Sequence, residues 1–206
     1  MRDEASIIVD YEFYPKLLDE HLIVRRLGSI AKKCSDGLYS HQNIPIEDIQ
    51  IISVVIEEFV DAFHHGKEEN ACFPVTQYKN SFSEDIRKFL IEHELGRRIA
   101  KMLRRELELL IVHDKYDQSE GLKWNTNKSK EPVARFLKSY SVFVFDHTGK
   151  EDVFFKTIQE KHSISDEEDI QLVKHYEICR TQTGGQARIE EMIRLVGYLE
   201  DREWMN

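Results

Sequence analysis

The chain has 206 residues, 41% of them apolar, and a formal net charge of −9. One domain, or one domain with a helical appendage, accommodates that length and buries a sizeable core. The acidic balance argues against nucleic acid, whose phosphates need a basic surface, and no run of about 18 uncharged apolar residues offers a membrane span.

Only four prolines and nine glycines interrupt the chain, which leaves long helical stretches. After a leader over 1–14 carrying Ile7-Ile8-Val9, a first helix is expected from Pro15, a residue suited to a first turn. Its stripe runs Leu17, His21, Val24, Gly28, Ala31, Leu38, and a loop follows at 40–43. A second helix opens near Pro45 with Ile49, Ile52, Ile56, Val60, His64, Glu68 and Ala71, and Pro74 is expected to stop it. A third starts around Ser83 and shows Ile86, Leu90, His93, Ala100, Leu103, Leu107 and Leu110. The polar stretch 114–130 reads as a long loop. A fourth helix begins near Pro132 with Val133, Phe136, Tyr140, Val144, His147, Glu151, Phe154 and Ile158. Every stripe has the three-to-four spacing of an amphipathic helix. Ser165-Asp166-Glu167-Glu168 has capping-box spacing and opens a fifth helix over 163–180. Gly184-Gly185 separates it from a sixth, roughly 186–200. The expected class is all-α: an up-down-up-down four-helix bundle over 1–160 with a C-terminal helical extension over 161–206.

A short unit occurs twice: His64-His65-Gly66-Lys67-Glu68 and His147-Thr148-Gly149-Lys150-Glu151. Each places a His and a Glu four residues apart, on one face of a helix, where the pair can bite one metal ion or bridge two. His21 and His93 lie on the apolar stripes of the other two helices. Taken singly, such a residue is most often a hydrogen-bonded core histidine, and each HxxxE pair alone is a surface contact as readily as a ligand pair. One His per helix, with a Glu one turn on from two of them, makes a metal centre the stronger account. Burying six polar side chains costs a few kcal/mol for each unsatisfied group, and a metal pairs them all at once. Inward Glu and His ligands are how di-iron carboxylate bundles are built, and imidazole with carboxylate suits iron, manganese or zinc.

His65 and Glu69 have the same spacing one residue on, and a rotation of about 100° per residue turns them from the centre. His65 is therefore expected outside the ligand set, behind it or facing a neighbouring helix. His41, His113, His162 and His175 read as surface residues, as do Arg25-Arg26 and Arg104-Arg105. Arg97 is either an anion anchor behind the site or a solvated charge. Met-Arg-Asp-Glu-Ala at the start lacks the apolar core of a secretory signal. Cys34, Cys72 and Cys179 form no CxxC pair. A cytoplasmic location with reduced thiols is expected.

These motifs resemble those of hemerythrin-like (HHE cation-binding) proteins, in the right order over about residues 12–160. Glu20-His21 with Arg25-Arg26-Leu27 is similar to the first-helix motif, and Phe63-His64-His65-Gly66-Lys67-Glu68-Glu69, closing on Cys72-Phe73-Pro74, to the second. Glu92-His93-Glu94 with Gly96-Arg97 resembles the third, and Asp146-His147 with Lys150-Glu151-Asp152 and Phe154-Phe155 the fourth. The resemblance implies a bundle holding two non-haem irons, with His21, His64, His93 and His147 as terminal ligands and Glu68 and Glu151 bridging. It implies a small diatomic ligand, O2 or NO. Oxygen carriers of this family place a second His one turn after the first on the third helix, where this chain has Arg97, and a bridging Asp where it has Glu151. The four-His, two-Glu set is more similar to the di-iron proteins implicated in nitric-oxide response and iron-sulfur repair.

Overall fold

A computed structural model describes the backbone at residues 12–120 and 126–206, and side chains at 12–112 and 130–206. Ile7-Ile8-Val9 and His113 lie outside the described residues. Among the described residues there are six helices, a short 3-10 turn at Glu203–Met205 and no strand. Helix α1 is Phe13–Tyr39. Helix α2 covers 46–76: it begins as ordinary α-helix at Ile46–Val55, widens to π-helix at Ile56–His65 and again at Glu68–Cys72, and returns to α over Phe73–Thr76. Helices α3 (Ser83–Glu120), α4 (Thr126–Glu160), α5 (Asp166–Gln182) and α6 (Gly185–Glu200) follow.

Two features differ from the sequence expectation. Pro74 does not stop α2, which runs on to Thr76. In an α-helix a proline ring strikes the carbonyl four residues back; the i→i+5 turn before Pro74 moves that carbonyl aside. The stretch 114–130, expected as a loop, is helical over 114–120 and 126–130: α3 continues to Glu120 and α4 starts at Thr126, so that Pro132 lies inside α4. Polar composition alone does not exclude a helix, since many polar residues are good helix formers.

Pairs of contacts fix the direction of each helix against its neighbour. His21, early in α1, meets Asp152, late in α4, while Ser35 Oγ, late in α1, donates to the Ala134 carbonyl, early in α4. Those two helices are antiparallel. The same logic makes α3 antiparallel to α4, through Glu92 with His147 and Gly96 beside Phe143. It makes α2 antiparallel to α3, through Glu69 with His93 and Glu57 with Arg104. Two apolar clusters fill the interior. One joins α1 from Val24 to Leu38 with Ile49, Phe59, Leu103, Leu107, Leu137 and Val144; the other gathers Phe13, Leu17, Phe73, Phe89, Phe154 and Phe155. His21 and its neighbours lie between them.

The C-terminal helices share these clusters. Ile189, Met192, Val196, Leu199 and Trp204 belong to the first cluster, Leu172 and Tyr176 to the second. Helix α5 opens on the capping box, Ser165 with Glu168. Its Asp169 then accepts the Glu12 and Phe13 amides at 2.9 and 3.0 Å, capping α1 from another helix. Arg26 forks onto Glu200, Arg188 onto Glu58, and buried Asp48 accepts from Arg202 and from the Trp204 indole at 2.7 Å. Arg26 is thus a clamp on the extension and not idle surface charge.

Helices α3 and α4 approach closely at Gly96, where an added Cβ would meet the Phe143 ring at 2.6 Å. Phe143 in turn stacks on His147, centroids 5.1 Å apart. Gly96→Ala should therefore destabilise the fold by about 1–3 kcal/mol, the usual penalty of overpacking. The urea midpoint reads this directly; an unchanged or raised midpoint would show that the α3–α4 gap is looser than this.

Candidate metal centre

All six residues singled out by pattern are buried, and they converge from four helices: His21 from α1, His64 and Glu68 from α2, His93 from α3, His147 and Glu151 from α4. His21 Nε2 lies 3.8 Å from Glu68 and 3.3 Å from Glu151, and His64 Nε2 lies 3.5 Å from Glu68. His93 Nε2 lies 3.3 Å from each of Glu68 and Glu151, and His147 Nε2 3.2 Å from Glu151. Donor atoms bound about 2.1 Å from one ion stand about 3.0–3.4 Å apart, between octahedral and tetrahedral angles. Four of the six separations lie in that range, and those of Glu68 from His64 and His21 are longer, at 3.5 and 3.8 Å. His21 pairs with His64, and His93 with His147, each at 4.8 Å between ring centroids. Each glutamate reaches histidines of both pairs.

The central atoms have little else to bind. His21, His64 and His147 Nε2, both Glu68 oxygens and Glu151 Oε2 are buried without a hydrogen-bond partner. Each such atom costs about 1–3 kcal/mol when left unmet. His21, His64, Glu68 and Glu151 place one donor atom each within 4.8 Å of one another. A cation fits this donor set.

Behind the centre lies a closed ring of carboxylates. Each imidazole donates its Nδ1–H to an acid on the neighbouring helix: His21 to Asp152 (2.6 Å), His64 to Glu20 (3.0 Å), His93 to Glu69 (2.7 Å) and His147 to Glu92 (2.8 Å). An ionised carboxylate only accepts, so Nδ1 carries a proton and Nε2, turned inward, is the atom left to take either a second proton or a metal. Each acid is held by a cation: Asp152 by Arg25, Glu20 by Lys67, Glu69 by Arg97 and Glu92 by Lys150. Lys67 is itself buried, its Nζ 4.3 Å from the Phe63 ring centre and 4.8 Å from that of Tyr176.

A model of the hemerythrin HHE cation-binding domain matches residues 13–158, most of the chain, and takes in all six converging side chains. The chain belongs to the hemerythrin HHE family. Comparison with curated proteins and with solved structures finds no match. Cation binding, with iron the implied metal, comes with membership of that family.

Within this hemerythrin domain the carboxylate ring escaped the sequence pattern, although a signal was present. Helices α1 and α3 share Glu-His-x-x-x-Arg (20–25 and 92–97), while α2 and α4 share His-x-x-Lys-Glu followed by an acid (64–69 and 147–152). The repeat is a pair of helices, longer than the His-Glu unit that first draws the eye. Arg25 belongs to the site. Arg97 is the anchor and not the solvated charge, bridging Glu69 and, at 3.1 Å, Asp61. His41, His162 and His175 are exposed, as expected.

His65 is buried and faces inward more than a 100° step allows, because α2 is π-helical there. A ring nitrogen of His65 lies within 4.8 Å of nitrogens on His93 and His147. Its ring, however, is stacked on His93 at 3.9 Å and 16°. Two stacked imidazoles hold their lone pairs in separate parallel planes, so no single ion lies in both. His65 is a wall of the site. Burial pushes its pKa down to about 3, His93 adding to the effect, so it stays neutral.

His21, His93, His147 and the two central glutamates titrate differently. Burial opposes charge on His21 and His93, but Asp152, Glu151, Glu68 and Glu69 outweigh it and raise both to about 11. His147 rises to about 9 against burial, through Glu151 and Glu92. Burial alone would raise Glu68 and Glu151; the surrounding histidines hold both well below the ordinary value. Protons on His21, His93 and His147 therefore do at neutral pH what a metal would do, and a metal must displace them. Loading at pH 7.5 should release about three protons per chain, measurable with an indicator dye in weak buffer. Metal uptake without proton release would place it elsewhere.

Proposed function

We propose that this chain holds two non-haem iron ions between its helices and uses them to bind or consume a small diatomic ligand, O2 or NO, in sensing, storage or detoxification. His21 and His64 would bind one ion, His93 and His147 the other, with Glu68 and Glu151 bridging. The observation that carries this is the double reach of each glutamate, whose oxygens face histidines of both pairs and find no other full set of partners. Zinc and manganese accept the same donors. The antiparallel neighbours support an up-down-up-down four-helix bundle over 1–160, with 161–206 as an extension clamped onto it. Three buried free cysteines and the absence of any membrane-crossing helix among the described residues support a cytoplasmic setting.

When bound, an iron pair supplies redox chemistry and a coordination position for the ligand. The chain supplies orientation. The carboxylate ring fixes each imidazole's tautomer and raises its basicity, and the two apolar clusters exclude water, which strengthens every charge interaction at the centre. Arg97 stands where an oxygen carrier has a fifth histidine, but its guanidinium is turned outward to Glu69 and Asp61. The His93–His147 pair thus has fewer donors, which favours NO binding and oxidation by O2 over reversible carriage.

Metal analysis, with absorption spectra taken anaerobically, after NO and after air, tests this. Expected are two irons per chain, a spectral response of the ferrous form to NO, and irreversible oxidation in air within minutes. A colour that appears with oxygen and fades on its removal would restore a carrier, and steady consumption of NO or peroxide would make the protein an oxidoreductase. One zinc per chain and no response would end the reading.

A regulatory module is the second reading, favoured by contacts between α5 and the ligand-bearing part of α2. Tyr176 packs on Lys67, and Cys179 Sγ lies 3.7 Å from the Gly66 carbonyl. Metal-dependent protease protection of 161–206 would support it.

A further inference from the structure

The outer face of α3, away from the histidines, carries four solvent-open apolar side chains in one line: Ile91 (57%), Leu95 (50%), Met102 (37%) and Leu109 (46%); exposed Val112 and Leu90 lie about 80° and 120° to one side. Leu95, Met102 and Leu109 recur every seven residues, drifting only about 20° per step around the helix. Ile91 falls within about 40° of the same line. His93, Leu103 and Leu107 face the opposite way, into the interior, so the stripe owes nothing to the core. It extends over about 30 Å of helix. Single exposed leucines are ordinary; a heptad-spaced row of them, flanked here by Arg98, Arg105 and Glu106, gives one apolar seam position per heptad and charged neighbours on either side for a helix packed against it.

The stripe is also symmetric about Met102. Leu95 and Leu109 lie seven positions to either side, and Arg98 and Glu106 four positions to either side. Laid against an antiparallel copy of itself, α3 would set Leu95 on Leu109 of the partner subunit and Met102 against its own copy. Arg98 would face Glu106 of the partner subunit, an opposite charge. Self-complementarity of this kind is what a two-fold interface demands, and a foreign partner gives no reason for it. We propose that two copies of this chain associate through α3, antiparallel, with Met102 on the two-fold axis. The interface lies on the far side of α3 from His93, so association does not depend on the metal reading.

Sedimentation velocity of the full chain across a concentration series tests the proposal. The unaltered protein should dimerise. Met102→Glu, which sets two like charges at the axis, should raise the dimer dissociation constant at least tenfold. Leu95→Lys and Leu109→Glu should each weaken association, and the two combined in one chain should restore it, because position 95 of one copy faces position 109 of the other. Leu95→Lys with Leu109→Lys should not restore it. Circular dichroism and metal content, both expected unchanged, confirm that these surface variants fold. A protein that stays monomeric throughout, or a charge-swapped pair that associates no better than its single variants, overturns the proposal.

Discussion

Stripping the metal should lower the melting temperature clearly, and more so at alkaline pH. A metal that binds only the folded chain stabilises it by mass action, about 4 kcal/mol at a thousandfold excess over its Kd. For a chain of this size that corresponds to roughly 8–16 °C. The stripped centre is not bare at neutral pH, since protonated His21, His93 and His147 offset Glu68 and Glu151. Their folded pKa values, about 11, 11 and 9, lie above the unfolded value. Stability from that source is therefore complete below about pH 6.5 and is lost as pH rises through the folded values. The glutamates act with the opposite sign, their contribution being present above the ordinary carboxyl range and lost in acid. Metal, by contrast, binds more tightly as competing protons leave. The gap between stripped and loaded melting temperatures should widen from pH 6 to pH 10. Scanning calorimetry on both forms measures it, and coincident melting at pH 8 would rule out a tight central site.

The six inward donors were legible because a polar residue on an apolar stripe stands out: His21 between Leu17 and Val24, or His147 after Val144. The helix count was legible for the same reason. What the stripe does not encode is a contact across helices. Glu20, Glu69, Glu92 and Asp152 sit beside the stripe and look like surface acids on their own helices; only the ring around the bundle gives them a histidine each. The π-helical widening of α2 was equally hidden. It rests on the placing of one extra residue per turn, which no periodicity of a few residues reports, and it brings His65 inward. The polar stretch 114–130 misled because polarity describes what surrounds a segment and not its backbone.

Glu68→Gln should lose at least one metal equivalent, whereas Glu69→Gln should keep both and bind them about 10–100-fold more weakly, the usual effect of removing an outer partner of a ligand. The two residues are adjacent in the chain but face different things. Glu68 is wholly buried, both its oxygens lack a hydrogen-bond partner, and the Nε2 atoms of three histidines surround it within 3.3–3.8 Å. An amide there replaces one acceptor oxygen by an N–H2 group and removes the charge that offsets the metal. Glu69 instead accepts from His93 Nδ1 and from Arg97. Its amide still presents an oxygen to His93, so the ring is held, though less basic. The same contrast should appear between Glu151→Gln and Asp152→Asn, since Asp152 holds His21 as Glu69 holds His93. Metal counted after gel filtration gives the stoichiometry, and chelator competition gives the affinity. Equal losses from Glu68→Gln and Glu69→Gln would mean that the two carboxylates share the centre, and the division into inner ligands and an outer ring would fall.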